Sequence, residues 1–365
     1  MYNVTSHTAN DGWISWMILL KNDGHSTEQY KDSSTKDQDT KEILHTKYTI
    51  LDPRQRLVFE YPLNPAFLAV EIVWILNGRK DVEFLEFWNP RMKTWSDDGV
   101  KFHGAYGDRL GLNEPAYRNQ MKRLMWAMKK NPQTRHGVLQ IWDKKKDLPT
   151  TDGTPQSKDI PCNIASILRV HEDKLHWMQT QRSQDVVWGL PTNIWQWTML
   201  QEVMAGWIDK DLGYFTYDVS SLHIYERHWN LLYEVWKKHT YFMKNDVMEN
   251  PAPKELAFEY APINTVDLRM SFGEFAMMLP VLTNSIQEMA NRTDIYQIEK
   301  TLGEYYIDHE GWRNIQKLCC VEAMRRTNPL YETHAVKMAE SELNDFLRIS
   351  WLNYVEAQNT TKKTV

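Results

Sequence analysis

The sequence predicts a fold that combines β-strands with α-helices and ends in a long helical region. Runs of branched apolar or alternating residues indicate strands in the middle of the chain, over 136–142, 163–170 and 174–185. Apolar residues at helical spacing indicate helices over 66–78, 114–130 and 193–208. After about residue 245 the composition changes, and a strand over 262–270 is followed by helical patterns over 272–290, 294–306, 309–326 and 332–357.

Loop-forming residues set the boundaries of these elements. Gly78 is a C-cap signal for the first helix, and Asn131-Pro132 ends the second. Residues 22–42 and 143–159 are polar and lack apolar periodicity, so we predict loops there. Glu71 lies inside an otherwise apolar helix. It is either partly exposed on one face or buried with partners, and in the second case it is a candidate for proton chemistry.

Composition excludes several classes of protein. The chain has 365 residues, 42% hydrophobic and 25% charged, with a formal net charge of -5. It can therefore bury a sizeable core, and it is not disordered, collagen-like or held together by disulfides. A sequence pI of about 6.2 argues against nucleic acid as a partner, although a small basic pocket could still hold one phosphate. Without a signal peptide or a membrane-spanning run, we expect a cytoplasmic protein with no membrane partner.

The three cysteines, Cys162, Cys319 and Cys320, are too few for a disulfide framework. No Cys/His spacing typical of a metal site occurs, so no metal is predicted. Cys319 and Cys320 fall in a helical pattern and are predicted to be inert core residues. Cys162 stands alone. Taken by itself it is either a nucleophile or, more commonly for a lone cysteine, a small buried apolar residue.

Four motifs around Cys162 resemble the core of the thymidylate synthase and pyrimidine-nucleotide hydroxymethylase family. They are IPCN (160–163), QRSQD (181–185), GLPTN (189–193) and SLHIY (221–225), and their spacing matches that of the family without a gap. Upstream segments resemble the family in the same order: EIVWILNG (71–78), KTWSDD (93–98), GAYGDRL (104–110) and NPQTRHG (131–137). The resemblance covers about residues 60–240.

The resemblance implies an α+β architecture, in which a large bent mixed sheet is backed by helices, with a C-terminal helical extension added. We expect a divergent N-terminal segment with a polar loop over 1–50, a catalytic domain over 51–245 and a mostly helical extension over 246–365. Members of the family are homodimers that use 5,10-methylenetetrahydrofolate as cosubstrate, so a homodimer, a folate and a pyrimidine deoxynucleotide monophosphate are the implied partners. No metal is implied.

The resemblance also implies the nucleophile and the phosphate site. Carbon 5 of a pyrimidine becomes reactive when a thiolate adds to C6, and Cys162 matches the residue that does this. Arg182 matches the arginine that favours the thiolate and holds the 5′-phosphate, and Ser183 would donate a hydroxyl to the same phosphate. Arg135 matches a phosphate arginine that reaches the neighbouring subunit's site. The next position is His136 where a second arginine is usual.

The remaining matched positions contact the base, the sugar and the folate. Asn193 would pair with O4 and N3–H of uracil, whereas cytosine-specific relatives carry aspartate there. By resemblance, His223 and Tyr225 bind the deoxyribose hydroxyl, and Glu71 and Tyr106 relay protons. The matched folate-binding positions are Trp95, Asp185 and Gly189. This chain departs from the family at three positions near the site: Asn163, Trp188 and Thr192.

Resemblance leaves the activity open between several outcomes. The asparagine at position 193, the RSQDVVWG run (182–189) and the segment 221–238 look closest to a phage-type deoxyuridylate hydroxymethylase, which uses water as the final acceptor. The phage source would place the protein in the host cytoplasm. The alternatives are a thymidylate synthase, which transfers hydride and keeps water out, a deoxycytidylate hydroxymethylase, and a catalytically silent scaffold of the same fold.

Overall fold

The computed structural model describes residues 2–27, 39–241 and 263–363. The chain divides into two compact units, each assembled from separate stretches of sequence. Unit one comprises Met1–Tyr61, Cys162–Thr198 and Leu212–Pro262. Unit two comprises Pro62–Pro161, Met199–Asp211 and Ile263–Val365. The three consecutive domains expected from the sequence stay a prediction.

A mixed sheet forms the centre of unit one. Its strands run in the order β1 (Asn3–Ser6), β3 (Thr40–Ile50), β8 (Asp211–Tyr225), β6 (Lys174–Gln181) and β5 (Asn163–His171). β1 is parallel to β3, whereas the β3–β8 and β5–β6 pairs are antiparallel. The short strands β2 (His25–Thr27) and β7 (Gln184–Asp185) pair with β3 and β8. Together with the helices, this sheet confirms the predicted α+β class.

The N-terminal elements of unit one were not predicted from the sequence. Helix α1 (Ala9–Asp23) begins at Thr8, whose side chain accepts a hydrogen bond from the main-chain N–H of Asp11. It contacts β3 and helix α7 (Trp229–Tyr241), and the indole of Trp13 donates to the carbonyl of Val186 at 2.7 Å. Of the predicted loop over 22–42, residues 28–38 lie outside the described part of the chain, and strands occupy both sides of that gap.

Helix α2 (Pro65–Leu76) is the buried centre of unit two, and all twelve of its residues are buried. It begins at Asn64, whose side-chain oxygen accepts from the N–H groups of Ala66 and Phe67, and it has proline at its first position. The helix ends at Leu76, two residues before the predicted stop signal Gly78, which has a φ of +64°. Glu71 is therefore buried. Of the two interpretations of Glu71 from the sequence, the structure agrees with the buried one.

The other elements of unit two before residue 211 are short. They are α3 (Glu83–Glu86), α4 (Tyr106–Arg109), α5 (Gln120–Lys130), β4 (Val138–Gln140) and a 3₁₀ helix, Pro90–Trp95. Two predicted elements were too long. α5 begins late because Asn119 caps it, and β4 is short because the main-chain N–H and C=O of Gln140 both pair with the side-chain amide of Gln120.

Helix α6 (Gly189–Ile208) begins four residues before the predicted start at 193, and the boundary between the units falls inside it. Pro191 lies in its first turn, where a missing N–H costs no hydrogen bond. Trp195, Trp197 and Trp207 of this helix are buried, as are Trp74, Trp88 and Trp177 elsewhere in the chain.

The C-terminal part of unit two is helical, as predicted, with α8 (Phe272–Asn291), α9 (Ile295–Glu304) and α10 (Glu310–Thr327). The predicted helix over 332–357 is instead two, α11 (Glu332–Glu342) and α12 (Asp345–Lys363), because Asn344 caps the second through Leu347 N–H. Cys319 and Cys320 are buried in α10, and burial raises the pKa of both thiols. Helices α8, α10 and α12 contact α2.

The strand predicted over 262–270 was wrong, since residues 263–270 have no regular secondary structure. Their main-chain groups pair with side chains instead of a neighbouring strand. Leu268 N–H donates to the carboxylate of Glu202 at 3.0 Å, and its carbonyl accepts from the indole of Trp312 at 3.0 Å. Residue 262 lies outside the described residues.

Candidate functional site

The β5–β6 hairpin brings Cys162 and Arg182 together in unit one. Its connection is the two residues Glu172 and Asp173, both with positive φ, which is the geometry of the tight turns that match strand twist. Cys162 directly precedes β5 and Arg182 directly follows β6. The main-chain N–H of Arg182 donates to the carbonyl of Cys162 at 2.9 Å. This bond makes the two predicted partners neighbours at the open end of the hairpin. Both residues are half-buried.

Asn193 lies in the first turns of α6 and is joined to the same hairpin by side-chain amides. Its Nδ2 donates to Oε1 of Gln184 at 2.9 Å, and its Oδ1 accepts from Nδ2 of Asn163 at 3.4 Å. Gln181 in turn donates to Oδ1 of Asn163 at 2.9 Å. All four amides are buried. The residue after the predicted nucleophile therefore contacts the predicted base-reading residue.

The short strand β7 sets His223 beside Asp185. The two residues are partners in the parallel β7–β8 register, and the N–H of Val186 donates to the carbonyl of His223 at 2.9 Å. His223 is buried, and burial lowers the pKa of its imidazole, although the nearby Asp185 carboxylate opposes that shift. Its Nε2 is buried without a hydrogen-bond partner among the described residues. A ligand hydroxyl would satisfy this atom.

Tyr225, Ser183 and Gly189 complete the predicted set in unit one. The Tyr225 ring packs nearly perpendicular to His223 at a centroid distance of 5.0 Å. Ser183 is half-buried between Arg182 and β7, and Gly189 begins α6. A Cβ atom at Gly189 would lie 2.6 Å from Nε2 of Gln184, so a glycine is needed for this close approach.

A stack of a cation and aromatic rings adjoins Tyr225 and was missed from the sequence. The guanidinium carbon of Arg227 lies 4.4 Å from the Tyr225 ring centre and 4.5 Å from that of Trp188. The Trp188 indole donates to the hydroxyl of Tyr61 at 3.0 Å, and its ring meets His228 edge-on. The run YERHW at 225–229 was the available signal.

Gln184, which contacts Asn193, was also missed, although it lies inside the QRSQD motif.

The other predicted site residues belong to unit two: Glu71, Tyr106, Trp95 and Arg135. α4, which begins at Tyr106, packs directly on α2, which carries Glu71. This approach requires Gly107, since a Cβ there would lie 2.2 Å from the carbonyl oxygen of Ile75. Trp95 and Arg135 are exposed.

Asp159 is a half-buried residue of unit two that the sequence analysis did not single out. It accepts the N–H of Gly104 at 2.7 Å, two residues before Tyr106. Burial raises the pKa of Asp159 from 3.8 to about 6, although the Gly104 N–H, His103 and Arg109 oppose the shift. The folded protein therefore holds this proton at a pH where the unfolded chain has released it.

Replacing Asp159 with asparagine should remove a loss of stability that occurs as the pH rises. Because its folded-state pKa is raised, the wild type loses stability between about pH 4 and pH 6, whereas the amide does not titrate. We expect the variant to gain about 2 kcal/mol relative to the wild type between pH 4 and pH 7, measured by urea unfolding.

The control for this prediction is Asp152→Asn. Hydrogen bonds from Thr150 and Thr154 lower the pKa of Asp152 to about 2, so this variant should not gain stability relative to the wild type as the pH rises from 4. An Asp159→Asn profile that ran parallel to that of the wild type would show that the Asp159 carboxyl is already ionised in the folded state near pH 4.

Among the described residues, no group of His, Cys, Asp and Glu side chains is arranged to hold a metal ion. In the same part of the chain, every helix is too short or too polar to cross a membrane.

Comparison with known proteins gives one consistent family. The Thymidylate synthase family model matches residues 25–269, further in both directions than the predicted resemblance. The deoxyuridylate hydroxymethyltransferase of Pseudomonas phage M6 is 35% identical over 180 residues, which are 48% of this chain and 49% of that protein. The enzyme of the same description from Bacillus phage SP01 is 33% identical over 196 residues, 51% of this chain and 50% of that protein.

More distant relatives are synthases. The thymidylate synthase of Clostridium beijerinckii is 29% identical over 173 residues, 46% of this chain and 62% of that protein. The structure of thermostable thymidylate synthase A from Bacillus subtilis matches with a TM-score of 0.53 and 22% identity, over 63% of this chain and 84% of that one, which shows the fold. The chain spans about half the length of the phage relatives it matches.

Proposed function

The chain belongs to the thymidylate synthase family, as the resemblance predicted, and from this premise we propose that it hydroxymethylates C5 of dUMP in a folate-dependent reaction. One observation carries the proposal. Unit one joins the candidate nucleophile, the candidate phosphate arginine and the candidate base-reading amide through the Arg182–Cys162 main-chain bond and the Asn163–Asn193 side-chain bond. The phage relatives, at 31–35% identity, support the hydroxymethylase branch over the synthases, at 24–29%.

In the proposed reaction, the Cys162 thiolate adds to C6 of the uracil ring and makes C5 a nucleophile. The one-carbon unit of methylenetetrahydrofolate becomes bonded to C5. C5 then loses its proton as tetrahydrofolate leaves, so that an exocyclic methylene remains on C5. Water adds to this methylene carbon, and the Cys162 sulfur leaves C6 to restore the ring double bond. Arg182 favours the thiolate electrostatically and pairs with the 5′-phosphate, with Ser183 as a second donor.

Recognition of the nucleoside would use the buried polar atoms of unit one. Asn193 reads O4 and N3–H of uracil. His223 offers its buried Nε2 to the deoxyribose hydroxyl, and Tyr225, in contact with that ring, binds the same group. Asp185 and Gly189 would meet the pterin.

The proposed proton-transfer groups are Glu71 on the buried helix α2 and Tyr106 at the start of α4, which would relay protons to and from the ring. Trp95 would contact the folate. The exposed Arg135 would reach the phosphate of a second subunit, which makes a homodimer part of the proposal.

The test is to incubate the protein with dUMP and methylenetetrahydrofolate and to weigh the nucleotide product by mass spectrometry. We expect 5-hydroxymethyl-dUMP together with tetrahydrofolate. A methyl product with dihydrofolate would replace the proposal with reductive methylation. If neither product nor a covalent adduct with 5-fluoro-dUMP formed, the chain would be a silent member of the family.

Replacing Asn193 with aspartate should shift the preference from dUMP toward dCMP. A carboxylate cannot donate to O4 of uracil, whereas it accepts the exocyclic amine of cytosine. We expect the ratio of kcat/KM for dCMP to that for dUMP to rise at least about tenfold, since a bidentate base contact discriminates by about 1–3 kcal/mol.

Asn328→Asp introduces the same change at a helix cap in unit two, outside the predicted site residues, and should leave this ratio unchanged. Equal relative rates for the wild type and Asn193→Asp would remove Asn193 from base recognition.

A further inference from the structure

Four buried side-chain amides of unit one form a hydrogen-bonded chain with a single direction. Nε2 of Gln181 donates to Asn163, Nδ2 of Asn163 donates to Asn193, and Nδ2 of Asn193 donates to Gln184, at 2.9, 3.4 and 2.9 Å. The chain ends on the main chain, where Nε2 of Gln184 donates to the carbonyl of Asp185 at 3.1 Å. Asn163, Asn193 and Gln184 each use the NH2 group toward the next residue and the oxygen toward the previous one.

The last bond sets the direction of the whole chain. A main-chain carbonyl can only accept, so Gln184 must turn its NH2 group toward Asp185 and its oxygen toward Asn193. The absence of a side chain at Gly189 leaves the space that the NH2 group of Gln184 occupies. Turning Asn193 over would oppose two oxygens on one side and two NH2 groups on the other. In a buried network this costs the unpaired groups their hydrogen bonds.

This direction matters because an asparagine amide is nearly symmetric in shape but not in hydrogen bonding. In one orientation it accepts from N3–H and donates to O4, the pattern of uracil. Turned over, it donates to N3 and accepts from the amine, the pattern of cytosine. Each end of the Asn193 amide uses one hydrogen bond within the chain, which leaves one acceptor site and one donor hydrogen for a base.

We propose that Gln184 and Asn163 are positioning residues that hold the Asn193 amide in the orientation that selects uracil over cytosine. The inference rests on the proposed function, because it assigns the origin of base selectivity in that same site. Gln184 anchors the orientation through the Asp185 carbonyl, and Asn163 maintains it from the other side by donating to Oδ1 of Asn193.

Two charge-matched variants test this role from opposite sides of Asn193. In Asn163→Asp the new carboxylate can only accept, so it draws the Asn193 NH2 group toward itself and turns the amide over. In Gln184→Glu the new carboxylate still accepts the Asn193 NH2 group and keeps the orientation. Hydrogen bonds to charged acceptors are about twice as strong as neutral ones, so the carboxylate decides the orientation in each variant.

The measurement is the dissociation constant of dUMP and of dCMP, obtained by calorimetry without folate, for the full-length wild type and each variant. We expect Asn163→Asp to raise the relative affinity for dCMP at least about tenfold, and Gln184→Glu to keep the ratio within about threefold. Both variants bury one extra negative charge, so any general weakening by that charge cancels in the comparison.

A third variant, Gln184→Met, keeps the length of the side chain and removes the anchor. It should bring the two dissociation constants closer together, because Asn193 can then adopt both orientations. Folding of each variant is checked by circular dichroism. If Asn163→Asp does not fold, comparison of the dissociation-constant ratios of Gln184→Met and Gln184→Glu still tests the role of Gln184.

Two results would overturn the inference in distinguishable ways. If the wild type prefers dUMP but Asn163→Asp and Gln184→Glu change the ratio equally, or Gln184→Met leaves it unchanged, the positioning role is wrong and the proposed function stands. If the wild type binds neither nucleotide, the proposed function fails and this inference fails with it.

Discussion

Replacement of Cys162 with serine should lower turnover of dUMP by at least about a thousandfold and leave nucleotide binding within a few-fold of the wild type. A serine hydroxyl has nearly the same size, so the half-buried position can accept it. It stays protonated at neutral pH, however, and cannot add to C6 as a thiolate does. The measurement combines kcat from the mass-spectrometric assay with the dUMP dissociation constant.

The control is Cys319→Ala, because the Cys319 thiol is buried in α10 and should have no part in turnover. Intact-mass analysis with 5-fluoro-dUMP and methylenetetrahydrofolate gives an independent readout. The wild type and Cys319→Ala should form the covalent adduct, and Cys162→Ser should not. Turnover by Cys162→Ser within tenfold of the wild type would refute covalent catalysis at this position.

Replacement of Glu322 with alanine should lower the free energy of unfolding by about 3–5 kcal/mol, the usual cost of removing one partner of a buried ion pair. Glu322 is fully buried in α10, and its carboxylate accepts from Arg325, Arg326 and the indole of Trp351. It also accepts from Nδ2 of Asn64 at 2.9 Å. Without it, two guanidinium groups and an indole lose their acceptor.

The position of Asn64 gives this cluster a wider role. The same amide caps α2 through its oxygen and reaches α10 through its NH2 group. The C-terminal helices are thereby connected to the start of the helix that carries Glu71. Arg326 adds a second link, since it donates to the carbonyl of Phe87 at 3.1 Å. We therefore expect loss of Glu322 to destabilise α2 together with the C-terminal helices.

Glu342→Ala is the matched control for Glu322→Ala. Glu342 also forms an ion pair within the C-terminal helices, with Lys317 at 2.7 Å, but its side chain is 48% exposed. Its loss should cost less than about 1 kcal/mol in the same denaturant titration. Equal effects of the two variants would mean that the Glu322 cluster stabilises the protein no more than a surface pair does.

Elements whose ends are marked by their own residues were predictable from the sequence. Helix α2 ends two residues before Gly78, its expected stop signal, and β5 and β6 follow the alternation of the sequence. The secondary-structure predictions were wrong where side chains distant in sequence form hydrogen bonds with main-chain groups. Glu202 and Trp312 occupy the main-chain groups of Leu268 in place of a strand, and no local periodicity reports such contacts.

The candidate site divides in the same way. Cys162, Arg182 and Asn193 could be identified because their types and spacing form motifs along the chain. The partners of those residues could not be identified in this way. The sequence does not show whether a glutamine such as Gln184 is exposed to solvent or is buried against an amide nine residues away. Burial and hydrogen-bond direction are properties of the packed interior.

The sequence by itself determined the family, the α+β class and the residues that carry the proposed chemistry, since these depend on residue type, short-range periodicity and fixed spacing. Only the tertiary structure decided how these residues are oriented and held. The direction of the amide chain depends on one carbonyl at Asp185, and the start of α2 depends on a carboxylate 258 residues later in the chain. Both depend on polar groups in the packed interior, which must find partners once water is excluded.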